Sequence, residues 1–420
     1  MARRFVLSFV IPNLIAILFV FSFPGKSVGG NIEFLLLLNS IFVVIVLFFA
    51  AICYCAFWLY GAKKRVEVDC RVNSPQVKWN SWFLIVLPLV GILLLAYDRI
   101  YLRGIDYTQS LRAARYEWLA SEGGSMFGVV GNLFVPLGYV SIFFIFKYSS
   151  YISGWRSGLI IASSLVSVFG HAYLNGGRSN VFLYFVMVYI AYCISGRRFQ
   201  FSSVLGGRGL LVCLFLFVSI FYVGSVTYSS AVIGDVDMRG LLRLAIFDMY
   251  GSPDENFFSR NHNFFVYFAL YFALYLFHGQ WTTQVIFELI DRPGYHSIVS
   301  APTVFLDKLG WIDLGMDSRA FSDTGVFISL PGAIYYDFGW LGVLMIPVFL
   351  GFFFGLLLAY LRNNYWRGTL GILLVVTLPS ILILSPVLPV YGFSYFSFII
   401  FSFVFFAVFN LVLFRKTLYL

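Results

Sequence analysis

Long apolar runs, each bounded by a few charged or turn-forming residues, fill most of the chain and predict helices that cross a lipid bilayer. A hydrocarbon core about 30 Å thick takes about 20 apolar residues at a rise of 1.5 Å each. The runs near Phe5–Phe23, Phe34–Leu59, Trp79–Tyr97, Met126–Phe146, Leu159–Leu174, Val181–Ser195, Leu210–Tyr228, Trp340–Tyr360, Leu370–Val390 and Phe393–Phe414 meet or approach that length. They predict an all-α, polytopic integral membrane protein of about ten spans. One long interruption divides the chain into residues 1–229 with seven spans, a large loop over 230–340, and residues 341–420 with three more.

Basic residues of short loops collect on the cytoplasmic side of a membrane, which orients the spans. With the N-terminus inside, Arg3 and Arg4, Lys63 to Arg65, Arg71, Lys78, Lys147, Arg156, Arg197, Arg198, Arg208, Arg362, Arg367, Arg415 and Lys416 all fall inside. Only Glu67 and Asp69 oppose them, so both termini are expected in the cytoplasm and the 230–340 loop outside. The apolar run after Arg3 and Arg4 lacks a small-x-small cleavage site near Ser22-Phe23-Pro24 and is taken as the first helix.

Composition removes soluble alternatives: 60% of residues are hydrophobic, 11% are charged and the mean hydropathy is +0.89. The net charge of +9 follows from the inward basic bias, so anionic membrane lipid is a sufficient partner and no nucleic acid is implied. Five cysteines without a CxxC pair or Cys/His spacing give neither a metal site nor a disulfide framework. Zinc-protease, nucleotide-binding and nucleophile-elbow patterns are missing from the sequence as well.

Two outward segments have patterns of their own. SLRAARYEWLASEGG, from Ser110, has apolar residues near helical spacing and predicts a surface helix. Asn263–His278 is apolar and aromatic but short, which predicts an interfacial or re-entrant helix near 263–278. Paired with a second crossing near Val285–Phe305, it would raise the span count to twelve.

Candidate chemistry gathers on the outward side. The turn Asn175-Gly176-Gly177-Arg178-Ser179-Asn180 places an arginine beside a helix N-terminus, two positive features that favour an anion. The long loop adds Arg239, Arg243, Arg260, Arg292 and Arg319, whose guanidinium forks suit phosphate oxygens. His262 and His296 are loop histidines placed to act as bases, Asp337 stands ahead of the eighth span, and Asp98-Arg99 reads as an ion pair at the end of the third. Asp235-Val236-Asp237 is a lone acidic pair, better read as solvated than as a metal site.

The stretches NGGRSNVFLYF and SLPGAIYYDFGWLGVLMIPVFLGFFFG, with the large outward loop between them, resemble the oligosaccharide repeat unit polymerases of the Wzy type. That resemblance implies a bacterial inner-membrane enzyme that joins undecaprenyl-pyrophosphate-linked oligosaccharides at the periplasmic face into O-antigen or capsular polysaccharide. It implies no cofactor and no metal, and it allows a separate chain-length regulator as partner. On this expectation Arg178 and Arg319 meet the pyrophosphate, Arg260 and Arg292 come next, and His262 or Asp337 assists the attacking hydroxyl. Tyr267, Tyr271, Tyr335 and Tyr336 would line the glycan path. An O-antigen ligase shares the donor chemistry. A flippase for the lipid-linked sugar would instead carry charges in the middles of its spans.

Overall fold

The computed structural model describes residues 2–27, 30–61, 74–108, 111–120, 125–148, 151–175, 179–195, 237–248, 251–289, 328–363, 369–390 and 394–414. In chain order the helices are α1 (Ala2–Ser22), α2 (Ile32–Gly61), α3 (Ser74–Ala96) with a π-helical turn (Tyr97–Leu102), α4 (Leu111–Ala120), α5 (Met126–Phe134), α6 (Leu137–Tyr148) and α7 (Gly154–Asn175). There follow α8 (Ser179–Ser195), α9 (Met238–Asp248), α10 (Glu255–Arg260), α11 (Phe264–Leu289), α12 (Leu330–Asn363), α13 (Thr369–Leu384) and α14 (Ser394–Phe414). Two short strands, β1 (Gly25–Ser27) and β2 (Gly251–Pro253), pair antiparallel.

The chain is an all-α polytopic membrane protein. Among the described residues seven helices have the length and apolar composition to cross a bilayer: Arg3–Ser22, Ile32–Phe57, Pro75–Leu102, Met126–Tyr148, Gly154–Asn175, Leu330–Leu361 and Tyr395–Leu413. Each coincides with a predicted apolar run. Two further runs appear as the shorter apolar helices Asn180–Ser195 and Leu373–Leu384, and Leu210–Tyr228 lies outside the described residues. The segment expected at 263–278 is the first part of a longer element, since α11 continues unbroken for 26 residues. Its first turn exposes Phe264 and Phe265, while Leu274, Phe277, Trp281 and Ile286 are buried.

The fold divides into two compact units. The first comprises residues Met1–Val66, Val236–Trp366 and Leu374–Ser397. Its spine is the parallel pair α2 and α12, which approach closely because Gly351 and Gly355 lack side chains. A Cβ at Gly351 would lie 2.6 Å from the Val46 carbonyl, and one at Gly355 would lie 2.4 Å from that of Ala50. Small residues four apart are the usual means of bringing helix backbones together in lipid, where packing has to replace the hydrophobic effect between helices. Gly339 (φ 60°, ψ −156°) breaks α12 into a short initial stretch and a long span, a backbone state that glycine alone enters readily.

Neutral polar side chains stitch this unit together. Asn13 donates to the Phe9 carbonyl (2.8 Å) and to Ser385 Oγ (3.2 Å). Asn39 donates to Gln280 Oε1 (2.9 Å), and Gln280 donates onward to the Pro386 carbonyl (2.8 Å). The Thr283 and Ser329 hydroxyls share a hydrogen bond of 2.7 Å, and the Leu330 amide reaches the Ser385 carbonyl at 2.7 Å. These contacts partner polar groups buried around the end of α13.

The second unit comprises Glu67–Asp235, Arg367–Leu373 and Phe398–Leu420. Close approach of α3 and α5 again needs glycine: a Cβ at Gly91 would stand 2.8 Å from the Val135 amide nitrogen. Hydroxyls on α7 bind neighbouring main chain, Ser163 to the Ile85 carbonyl (2.7 Å) and Ser164 to that of Gly138 (2.6 Å). Gln76 and Asn80 of α3 both donate to Asn410 Oδ1 of α14, at 3.1 and 2.7 Å.

Candidate functional site

One end of the second unit concentrates buried charge. The six-residue π-helical turn after α3 closes an Arg103 N–H to Asp98 carbonyl bond of 3.0 Å, and this wider winding buries Asp98 and Arg99 together. The sequence reads Asp98 and Arg99 as an ion pair. In the fold Asp98 pairs instead with Arg103 (3.1 Å), five residues on, because adjacent residues of a helix do not face each other whereas i and i+5 align in a π turn. Asp98 also accepts a hydrogen bond from Ser125, which caps α5 by accepting the Gly128 N–H (3.0 Å).

Arg99 points elsewhere. Its Nη1 donates to the Leu174 carbonyl in the last turn of α7, where a cation also complements the negative end of the helix dipole. The guanidinium lies over the Trp118 ring of α4, 4.5 Å from the centroid. This fixes the predicted surface helix against α7. The Tyr107 hydroxyl donates to the same Leu174 carbonyl at 2.8 Å, and its ring stacks on Tyr173. Burial pushes the Tyr107 hydroxyl above the usual phenol value, with the positive charge of Arg99 acting against it, so the group stays a proton donor at neutral pH.

The helices that end at Asn175 and begin at Ser179 meet on one buried imidazole. His171 Nδ1 lies 2.8 Å from Asn180 Nδ2, and its Nε2 lies 2.8 Å from Asn175 Nδ2. A neutral imidazole carries one N–H and one acceptor, so one asparagine must offer its amide hydrogen and the other its carbonyl. Asn175 Oδ1 has no partner among the described residues, and turning that amide end for end gives it the ring N–H. Asn180 is held a second time, because its main-chain carbonyl accepts from the buried Tyr139 hydroxyl at 3.0 Å.

In the first unit, Arg260 at the end of α10 and His262 on the short link to α11 are exposed. Tyr267 fixes that link: it is buried, stacked on Phe258 with centroids 5.7 Å apart, and its hydroxyl donates to the Asn261 carbonyl. Both its ring face and its hydroxyl serve the local fold. Tyr271, Tyr335 and Tyr336 are half-buried. Tyr335 meets Phe34 and Trp340 edge to face, and both Tyr335 and Tyr336 pack on Ile286, Ile328 and Ala333. Asp337 is fully buried two residues before the Gly339 break, so it and the exposed His262 occupy unlike environments. Arg178, Arg292, Arg319, His296 and Asp235 lie outside the described residues.

Arg99, Arg103, Tyr107, Trp118 and His171 are thus the residues of this site that sequence reasoning underweights. The available signal was three polar groups, Asp98, Arg99 and His171, within or at the end of otherwise apolar runs, where such residues are costly and tend to serve a purpose. No protein-family model, curated protein or solved structure matches the chain.

Proposed function

We propose that the protein is a membrane glycosyltransferase that joins oligosaccharide repeat units carried on undecaprenyl pyrophosphate, acting at the periplasmic face of a bacterial inner membrane with both termini cytoplasmic. One observation supports this reading above the rest: buried His171 joins Asn175 and Asn180, the residues on either side of the Gly176-Gly177-Arg178 turn. A turn that merely crosses between two helices needs no such foundation, whereas one that must present an arginine to a charged headgroup does. Arg178 is the leading pyrophosphate ligand in this reading, followed by Arg319, Arg260 and Arg292.

In the reaction, an acceptor sugar hydroxyl attacks the anomeric carbon of the donor. The bond from that carbon to the phosphate oxygen breaks, and the lipid pyrophosphate leaves with the electron pair. Guanidinium groups stabilise the charge that develops on the leaving group. The hydroxyl proton passes to a base, and exposed His262 suits that role better than buried Asp337.

Transfer of finished polymer to lipid A core uses the same donor chemistry, so the decisive test is genetic. Deleting the gene should leave a single repeat unit on the lipid A core. Polymer retained on the carrier lipid would identify a ligase, and loss of export would identify a flippase. Complementation with Arg178→Ala should yield no long chains at normal membrane abundance, with Arg178→Lys partly active because a point charge loses the fork. Wild-type chain lengths from Arg178→Ala would remove that residue from the site.

A further inference from the structure

We infer that the second unit binds an anionic phospholipid at the end of α3 and α7 remote from Asp98, with Lys78 and Arg156 taking the phosphate. The inference is independent of the reading of the Arg178 turn. At this end the Trp82 and Trp155 rings meet edge to face, with centroids 6.0 Å apart, although both side chains are exposed. Indoles settle at the level of lipid headgroups, where one part of the ring meets hydrocarbon and the N–H meets polar groups. The Arg156 guanidinium lies over the Trp155 ring, 5.2 Å from its centroid, and its Nε is buried without a hydrogen-bond partner among the described residues. Lys78 is exposed one turn before Trp82 on the same face of α3. Neither cation makes an ion pair among the described residues. The sequence has no Asp or Glu from 70 to 97 or from 123 to 234, so α3 and α7 contain no carboxylate to serve them.

A basic side chain that only snorkels extends its head into water. Arg156 instead folds back onto an indole, which strips water from one side of its charge and makes an anion on the open side worth more. The two helices run side by side, from Trp82 on Trp155, through Ser163 on the Ile85 carbonyl, to Arg99 on the Leu174 carbonyl. Exposed Val86 and Leu93 continue the face of Trp82, and exposed Leu159 and Val166 that of Trp155, at helical spacings of four and seven residues. Two cations therefore head an apolar seam that descends into the bilayer, which is the shape and charge of a phospholipid with a negative headgroup. With both termini cytoplasmic, as proposed above, this end meets the leaflet that carries anionic lipid, where basic pockets between helices hold such headgroups.

The test uses the full chain purified in detergent, with phosphatidylglycerol as the probe and zwitterionic phosphatidylcholine as the comparison. Lipid retained in native mass spectrometry and the shift in thermal unfolding are the readouts. A basic residue at an anionic surface is worth about five-fold in binding, so wild type should prefer phosphatidylglycerol by about ten-fold or more. Lys78→Gln together with Arg156→Gln should abolish the preference. Lys78→Arg with Arg156→Lys exchanges the cations, keeps both charges and should retain it. A wild type without preference, a neutral pair that keeps it, or an exchanged pair that loses it overturns the inference. Should the neutral pair fail to fold, Lys78→Gln alone changes an exposed side chain and should lower the preference several-fold, and no change there would overturn it equally. Inorganic phosphate at the concentration of the lipid should not displace it, because the seam holds the acyl chain. Displacement would make this a small-anion site and refute the lipid assignment.

Discussion

The densest polar clusters of the two units differ in chemistry. In the unit built on α2 and α12, the hydrogen-bonded seam consists of amides and hydroxyls, with Asn39, Gln280 and the Pro386 carbonyl in series and Thr283 on Ser329. In the other, the polar end holds Asp98, Arg99 and Arg103 in formal charge. Neutral donors and acceptors can pair with one another without a counter-charge, so such a seam fixes which helices meet. A charged cluster closes only where each charge meets its opposite, and it is costly when one partner is removed. The contrast makes the charged end the region where a single substitution should cost most, and the amide seam a matter of helix assembly.

The most severe test of that contrast removes the carboxylate that Arg103 and Ser125 share. Asp98→Asn takes the carboxylate from the Asp98–Arg103 pair, and breaking a buried pair from one side ordinarily costs about 3–5 kcal/mol. Arg103 retains 17% side-chain exposure, so about 2–4 kcal/mol is expected in thermal unfolding of the purified protein. Adding Arg103→Gln to it should recover most of the loss. A penalty below about 1 kcal/mol would mean that water reaches these charges freely, and the distinction between the units would fail.

Apolar runs were enough to read the helices, because a bilayer imposes one length rule and one pairing rule on every span. What the pattern left unread depends on contacts far apart in sequence or on local departures from α-helical winding. Asn13 meets Ser385 across 372 residues, and nothing beside either residue announces the other. Asp98 finds Arg103 only because the turn winds as a π-helix. Tyr267 reads as an aromatic fit for sugar, yet Phe258 and the Asn261 carbonyl claim it. Of the candidate site, Arg178 and its two glycines stand out in the sequence but lie outside the described residues. The role of His171 between Asn175 and Asn180 was not legible, since a lone histidine near a span end carries no sign of what it binds.

A milder perturbation addresses the neutral seam. Asn39→Leu removes the donor to Gln280 Oε1, and interhelical hydrogen bonds in membrane proteins are worth about 0.6 kcal/mol on average and up to about 1.7. The loss should fall in that range, should be indifferent to salt, and should leave pyrophosphate binding unchanged. A loss larger than that of Asp98→Asn would reverse the ranking of the two regions. Altered anion binding would show that the seam does more than hold helices together.

The smallest effect is expected where the first unit does carry an ion pair. Arg243 contacts Glu255 on the surface, with side chains 33% and 64% exposed, and the guanidinium also lies over the Phe258 ring. Water competes for both charges, so Glu255→Gln should cost less than about 1 kcal/mol. Raising the salt to 1 M, where the screening length is about 3 Å, should erase most of that difference. The stacking on Phe258 survives the substitution, so Arg243 should keep its place. The same chemical pair would then weigh several times more between Asp98 and Arg103 than between Glu255 and Arg243, a difference that follows from burial rather than from the residues. Equal penalties at the two pairs would show instead that burial at the end of α3 is not what makes its charges costly.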